Sequence, residues 1–262
     1  MTASTVNAEQ IEYWNARTGE RWAQDQQLLD RQIQPLGAEA MQALAPDWLD
    51  FLGENSLPVR FPGHAAQMSA VYIGQMAPSA FVTNTFYFQM ANEMRRVQRQ
   101  AYLAQVLAMD TGRPDLADSA RARAIWTEGA NWQGLRELME KQLCAYDFGE
   151  AFGSRQLVLR PIFDHLFNTE LAGIARANGD DLVAMLHDDF RRHDEAYAVE
   201  NTRGFIEYAT RKAPSNAGLL REIAARWQPL GEKAARGIAE GLARAPGADS
   251  AGAIAARTLE AQ

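Results

Sequence analysis

The chain has 262 residues, 47% of them hydrophobic and 23% charged, enough for one large domain or two small ones with most apolar surface buried. Its formal net charge of −7 argues against general binding of nucleic acid or of an anionic membrane, since both need a cationic surface. The single cysteine, Cys144, excludes an internal disulfide and a Cys-rich metal site.

The N-terminal stretch MTASTVNAEQIEYWNA has no cationic start followed by an apolar run, so no secretory signal is expected. No apolar stretch approaches the ~20 residues that span a bilayer. These readings describe a soluble, cytoplasmic protein. A first helix is expected from Ala8 to Ala45, weakened at Pro35-Leu36-Gly37. Asn55 to Pro62, with Pro58 and Pro62, reads as a linker. Gly63 to Met76 reads as a helix stopped at Pro78. Ser79 to Asp110 is the longest periodic run, with Phe86, Met90, Glu93, Val97 and Ala104 on one face. Arg96 lies three residues from Glu93, the spacing of a structural ion pair.

Asp110 to Pro114 reads as a turn, and Asp115 to Glu128 as a short helix. Asn131 is placed to cap the next helix, whose surface carries the i,i+4 pair Glu137 and Lys141. Cys144, between Leu143 and Ala145, is expected to be a buried inert thiol. Gly149 interrupts the run, Asp147-Phe-Gly-Glu150 has capping-box spacing, and Pro161 allows a kink or fresh start. Asn178-Gly179 stops a helix and Asp180 caps the next. That run reaches about Lys212, with Leu182, Leu186, Phe190, His193 and Tyr197 as its apolar stripe. Two shorter helices, Asn216 to Trp227 and Pro229 to Arg244, precede an Ala/Gly-rich tail expected to fray. Long helices with short breaks and no alternating strands imply an all-α helical bundle. The expected organisation is an N-terminal helical segment over 1–46, a bundle over 47–245 and a flexible tail over 246–262.

Residue types in such a bundle suit a carboxylate-bridged di-iron site, which needs two Glu-x-x-His motifs and two further Glu. The four histidines test this. Three residues before His64, His165, His187 and His193 stand Phe61, Ile162, Ala184 and Phe190, so no Glu-x-x-His exists. A core histidine is the plainer reading of His193. An unorthodox metal site from Glu93, Asp189 and His193 is the rival, which would make the chain an independent metalloprotein. There is no nucleophile elbow, phosphate loop or dinucleotide fingerprint.

Six segments carry a family resemblance: RFPGHAAQM (60–68), YIGQMAPSA (72–80), ANEMRRVQRQAY (91–102), WQGLRELMEKQL (132–143), DFGEAF (147–152) and RWQPL (226–230). From about Asp47 to Arg236 the chain resembles the beta subunit of the hydroxylase of bacterial multicomponent monooxygenases of the toluene, phenol, alkene and propane type. The resemblance implies a ferritin-like, ribonucleotide-reductase-like bundle. It also implies an (αβγ)2 hydroxylase in which only alpha holds the di-iron centre that activates O2 to hydroxylate aromatic or small hydrocarbons. A reductase supplies NADH-derived electrons and an effector protein regulates turnover. By the same resemblance, ligand positions of alpha align here with Glu93 to Arg96, Phe190 to His193 and Gly149. Arg, Phe and Gly do not suit iron, so no catalytic, cofactor-binding or metal residue is assigned to this chain. A buried network of Glu93, Arg96 and His193 is expected in place of the metal. Family members usually carry a longer N-terminal arm, and residues 7–37 are similar to the opening helix of class I S-adenosylmethionine-dependent methyltransferases without the glycine-rich loop that should follow.

Overall fold

The computed structural model describes residues 40–262. The expected first helix and the methyltransferase-like stretch lie almost wholly outside these residues. Among the described residues every regular element is helical, as the sequence pattern requires. The order is α1 (Pro46–Asn55), α2 (Arg60–Met76), α3 (Ala80–Thr111), α4 (Ser119–Glu128) and α5 (Gln133–Leu143). Then come α6 (residues 148–177), α7 (residues 181–212), α8 (Asn216–Leu242) and α9 (Ala251–Glu260). The architecture is a ferritin-like helical bundle. Helices α2 and α3 pack as an antiparallel pair, α8 runs along α5, and α6 lies between α8 and the charged faces of α3 and α7.

Short polar side chains start the helices where their free N–H groups need acceptors. Ser79 Oγ accepts from Val82 N, Asp118 from Ala120 N (2.8 Å), Asp147 from Glu150 N (3.0 Å) and Asp180 from Val183 N (2.9 Å). Gly112 (φ 67°) and Gly179 (φ 75°) end α3 and α6 in the left-handed region that only glycine enters freely. Glu150 does not complete a capping box; its carboxylate accepts from Trp227 Nε1 and Arg226 Nη1 on α8.

Four expectations change. The segment 55–62 is not a linker: α1 passes through a 3-10 turn at Leu57–Val59 straight into α2, because Leu57, Pro58 and Val59 are buried and Pro58 suits a first-turn position. Asn131 caps nothing; it lies in a 3-10 turn, and its amide donates to Asn55 Oδ1 (3.2 Å). Pro229 does not split α8, since Ile223, Trp227, Ala234, Ile238 and Leu242 form one buried face on both sides of it. Burial of that face outweighs the lost hydrogen bond. The tail is not frayed: α9 buries Ile254, Ala255 and Thr258, Ser250 caps it, and Arg257 makes a two-pronged bond to Glu170 (2.8 Å each).

Helices α6 and α7 contain wide π turns, at Ser154–Leu159 and His165–Leu171 in α6 and at Phe190–Glu195 in α7. Pro161 sits between the first two and has no N–H for the carbonyl of Leu157. The amide of Gln262 donates to that carbonyl (3.0 Å), so the last residue of the chain covers the break.

On the other side of α8, glycines let backbones touch. A Cβ on Gly134 would meet Lys233 O at 2.5 Å, and one on Gly237 would meet Asn131 O at 2.7 Å. The Glu137–Lys141 pair forms as expected (2.6 Å) and is joined by Lys233 (2.6 Å).

Candidate functional site: a buried charge cluster

The centre of the bundle is ionic. From α3 come Glu93, Arg95, Arg96 and Arg99; from α6 come Arg155, Arg160 and Asp164; from α7 come Asp189 and Asp194. None is more than 6% exposed, so each charge must find its partner inside the protein. Glu93 Oε1 accepts from Arg155 Nη2 (3.2 Å) and from Arg160 Nη1. Asp164 accepts from Arg96 Nη2 (3.1 Å) and pairs with Arg160 Nη2 (2.8 Å). Arg99 donates to Asp189 (2.6 Å) and Arg95 to Asp194. Asn168 donates to Asp164 (3.2 Å) and to Glu195 (3.1 Å), which adds a fifth carboxylate to balance five guanidinium groups. Arg96 is also held between aromatic faces, 5.2 Å from the Phe163 centroid and 4.9 Å from that of Phe190.

The electrostatics follow from this geometry. Burial pushes the Glu93 carboxyl up, but Arg160, Arg96 and Arg155 outweigh it and hold it below the usual carboxylate range. At Asp194 burial wins over Arg95 and Arg96, and the carboxyl is pushed up. Glu195 is pushed up by burial and by neighbouring Asp164. Burial lowers Arg155 to about 10 despite Glu93. Beyond Arg99, His187 is fully enclosed against Phe190 and Gln100; burial and then Arg96 lower its imidazole to about 3, so it is neutral at pH 7.

The expected network of Glu93, Arg96 and His193 is correct in two of its members. Glu93 and Arg96 lie at its centre, with Arg96 Nε 3.9 Å from Glu93 Oε2. His193 is outside: its side chain is 44% exposed and sits 3.4 Å from Asp189. The reason is the π turn of α7. A wide turn needs more than four residues, so the inward positions after Phe190 pass to Asp194 and Ala198, both buried, rather than to His193 and Tyr197. Gly149 is also remote from the cluster; a Cβ there would face Asp147 and Ile223. Cys144 is exposed, not buried, because α5 ends at Leu143 and the chain turns outward there.

The sequence reading missed Arg95, Arg99, Arg155, Arg160, Asp164 and Asp194. Arg155 and Arg160 flank Gln156-Leu-Val-Leu159, five residues apart, which is the spacing of a π turn. That pattern was the available signal.

A di-iron centre does not fit this donor set. Iron needs carboxylates and imidazoles with free lone pairs, whereas the atoms around Glu93 are guanidinium nitrogens, permanently charged and donors only. Among the described residues no group of three or more His, Cys, Asp or Glu side chains is placed to hold a metal ion. Glu93 and Asp189 are each occupied by arginine, which removes them from the rival metal set with His193. No helix of the described residues is long and apolar enough to cross a membrane.

Comparison with known proteins agrees with the fold. The chain is 32% identical over 194 residues to the toluene-4-monooxygenase system hydroxylase component subunit beta of Ectopseudomonas mendocina, covering 74% of this chain and 58% of that protein. It is 26% identical over 190 residues to the propane 2-monooxygenase hydroxylase component small subunit of Mycolicibacterium smegmatis, covering 70% of this chain and 50% of that one. The match therefore spans about half the length of these relatives. A chain of the solved structure of toluene 4-monooxygenase, with toluene in its resting active site, superposes with a TM-score of 0.82 at 29% identity, over 88% of this chain and 75% of that one. A family model for methane/phenol/alkene hydroxylases matches residues 12–212, beginning inside the stretch that resembles a methyltransferase helix. With the match running through most of the bundle and its charged centre, the chain belongs to the methane/phenol/alkene hydroxylase family.

Proposed function

We propose that this chain is the non-catalytic beta subunit of a multicomponent monooxygenase hydroxylase. In this reading a larger alpha subunit holds the di-iron centre and oxidises an aromatic or small hydrocarbon with O2. A gamma subunit completes an (αβγ)2 assembly, and a reductase and an effector protein serve it. The observation that carries the reading is the set of Arg96, Arg155 and Arg160 around Glu93. Fixed guanidinium charge supplies at the bundle centre what metal cations supply in an oxygenase, so the helices keep their packing without the chemistry. Exposed apolar side chains on α2 and α3, among them Met68, Met76, Tyr102 and Met109, are the kind of surface a partner subunit covers.

Co-expression with a cognate alpha subunit, followed by size-exclusion chromatography and iron analysis, tests this. The expected result is co-elution, with iron present in the complex and absent from this chain purified alone. Stoichiometric iron in the lone chain would favour an independent metalloprotein, and a failure of the two subunits ever to co-elute would remove the subunit role.

A further inference from the structure

The outer face of α2 and α3 carries no charge. From Phe61 to Met109 the charged side chains are Glu93, Arg95, Arg96 and Arg99, and all four are buried in the cluster. On the side of α3 opposite Glu93 and Arg96, steps of three, four and seven residues bring up Tyr87, Met94, Gln98, Tyr102, Gln105 and Met109. Met68 and Val71 continue this face on α2. Met68, Tyr87 and Tyr102 are exposed, and Met109 is 79% exposed. The surface of α8 is different, with Arg226, Glu232, Lys233 and Arg236 standing in solvent.

Close packing makes the two helices one plate. A Cβ on Gly74 would meet the Tyr87 ring at 2.9 Å, and one on Gly63 would meet Val97 at 3.2 Å. Helices of 17 and 32 residues are about 26 and 48 Å long, and at about 10 Å in width they present roughly 700 Å2 together. A stable interface of standard size takes about 800 Å2 from each partner. The composition fits as well, because the cores of such interfaces are rich in Tyr and Met and poor in charge. The glutamines argue against a lipid surface, which offers their amides no partner.

Charge decides the occupant. In a two-fold pair each residue near the axis meets its own copy, so a charge there faces a like charge. The chain carries a net charge of −7, and two copies repel over much of their surface. The uncharged plate lets one copy meet another without that cost, and its amides can pair with each other, since an amide both donates and accepts. We propose that two copies of this chain pair through this face, with their α3 helices crossing near Gln98, the middle of the stripe. The pair is a state of the chain alone and does not rest on the subunit role proposed above. A larger subunit that uses the same face would exchange with the second copy.

Sedimentation equilibrium of the full chain tests the proposal, with Gln98→Glu and Gln98→Lys as variants. Gln98 is exposed, so either charge leaves the fold intact, which the helical circular dichroism signal checks. The parent should sediment at twice the mass of the chain. Each variant alone should pair about tenfold more weakly or worse, since like charges then meet across the axis. An equal mixture of the two variants should pair again, as Glu meets Lys. A monomeric parent would overturn the proposal, and so would variants that pair like the parent or a mixture that stays monomeric. A parent that is monomeric alone and binds a cognate alpha subunit, with binding lost in Gln98→Glu, would give the face to alpha instead.

Discussion

Where α3 meets α6 and α7, the helices are joined by long charged side chains inside the protein; where α5 and the turn before it meet α8, glycines bring backbone against backbone, and the charged pair Glu137 and Lys233 lies at the surface. Arg96 spans from Glu93 to Asp164 and lies on two aromatic rings. Gly134 and Gly237 leave no room even for a methyl group. The two contacts fail in opposite ways. The charged contact cannot lose a member, since the charge left behind is stranded in an apolar interior. The glycine contact cannot gain one, since the neighbour is main chain and cannot rotate away.

The largest effect should come from removing one charge. Arg96→Ala leaves the cluster one cation short of its carboxylates and vacates the space between Phe163 and Phe190, and should cost about 3–5 kcal/mol in a denaturant titration. A midpoint equal to that of the parent would break the comparison on its charged side. Pairing Arg96→Met with Asp164→Leu should cost less than the two changes summed, because the cluster then loses one charge of each sign and stays balanced. On the glycine side, Gly134→Ala should cost about 1–3 kcal/mol by overpacking, a change that is usually mild or favourable within a helix. If it stabilises the protein instead, α5 and α8 are free to separate and the close approach is not required.

The pH dependence comes next. His187 has its imidazole lowered from 6.5 to about 3. Between those values the unfolded chain takes up a proton that the folded chain refuses, so stability present above about pH 6.5 is lost as pH falls. The slope from this group is up to about 1.4 kcal/mol per pH unit. A His187→Gln variant should show a flatter decline from pH 6.5 to 4, and an unchanged slope would mean that other groups account for the acid sensitivity. Least of all, Lys141→Ala at the surface should leave the thermal midpoint where it is, even though its bond to Glu137 is 2.6 Å long.

The parts legible in the sequence were those fixed by local chemistry. Asp147 and Asp180 cap where their spacing places them, Gly179 stops a helix, and the turn expected from Asp110 to Pro114 forms at Gly112. Glu93 and Arg96 stood out because polar groups on an apolar face are conspicuous. What could not be read was decided by packing. Pro229 and the Ala-rich end look like breaks until the faces they complete are present. The π turn of α7 carries no residue signature, so the stripe drawn at regular helical spacing ran to His193 when the inward residue was Asp194.

Those turns make the placement of charge a matter of counting. A helix turns about 100° for each residue, so one residue too many, absorbed in a widened loop of backbone, resets the heading of everything after it. If the residues from Phe190 to Glu195 closed into regular turns with none removed, the remaining length of α7 would swing by about that angle. Ala198 would rotate out and Tyr197 would rotate in. The composition would not change, yet α7 would present a different face to α3. In this protein the tally of residues along a helix is itself part of the code.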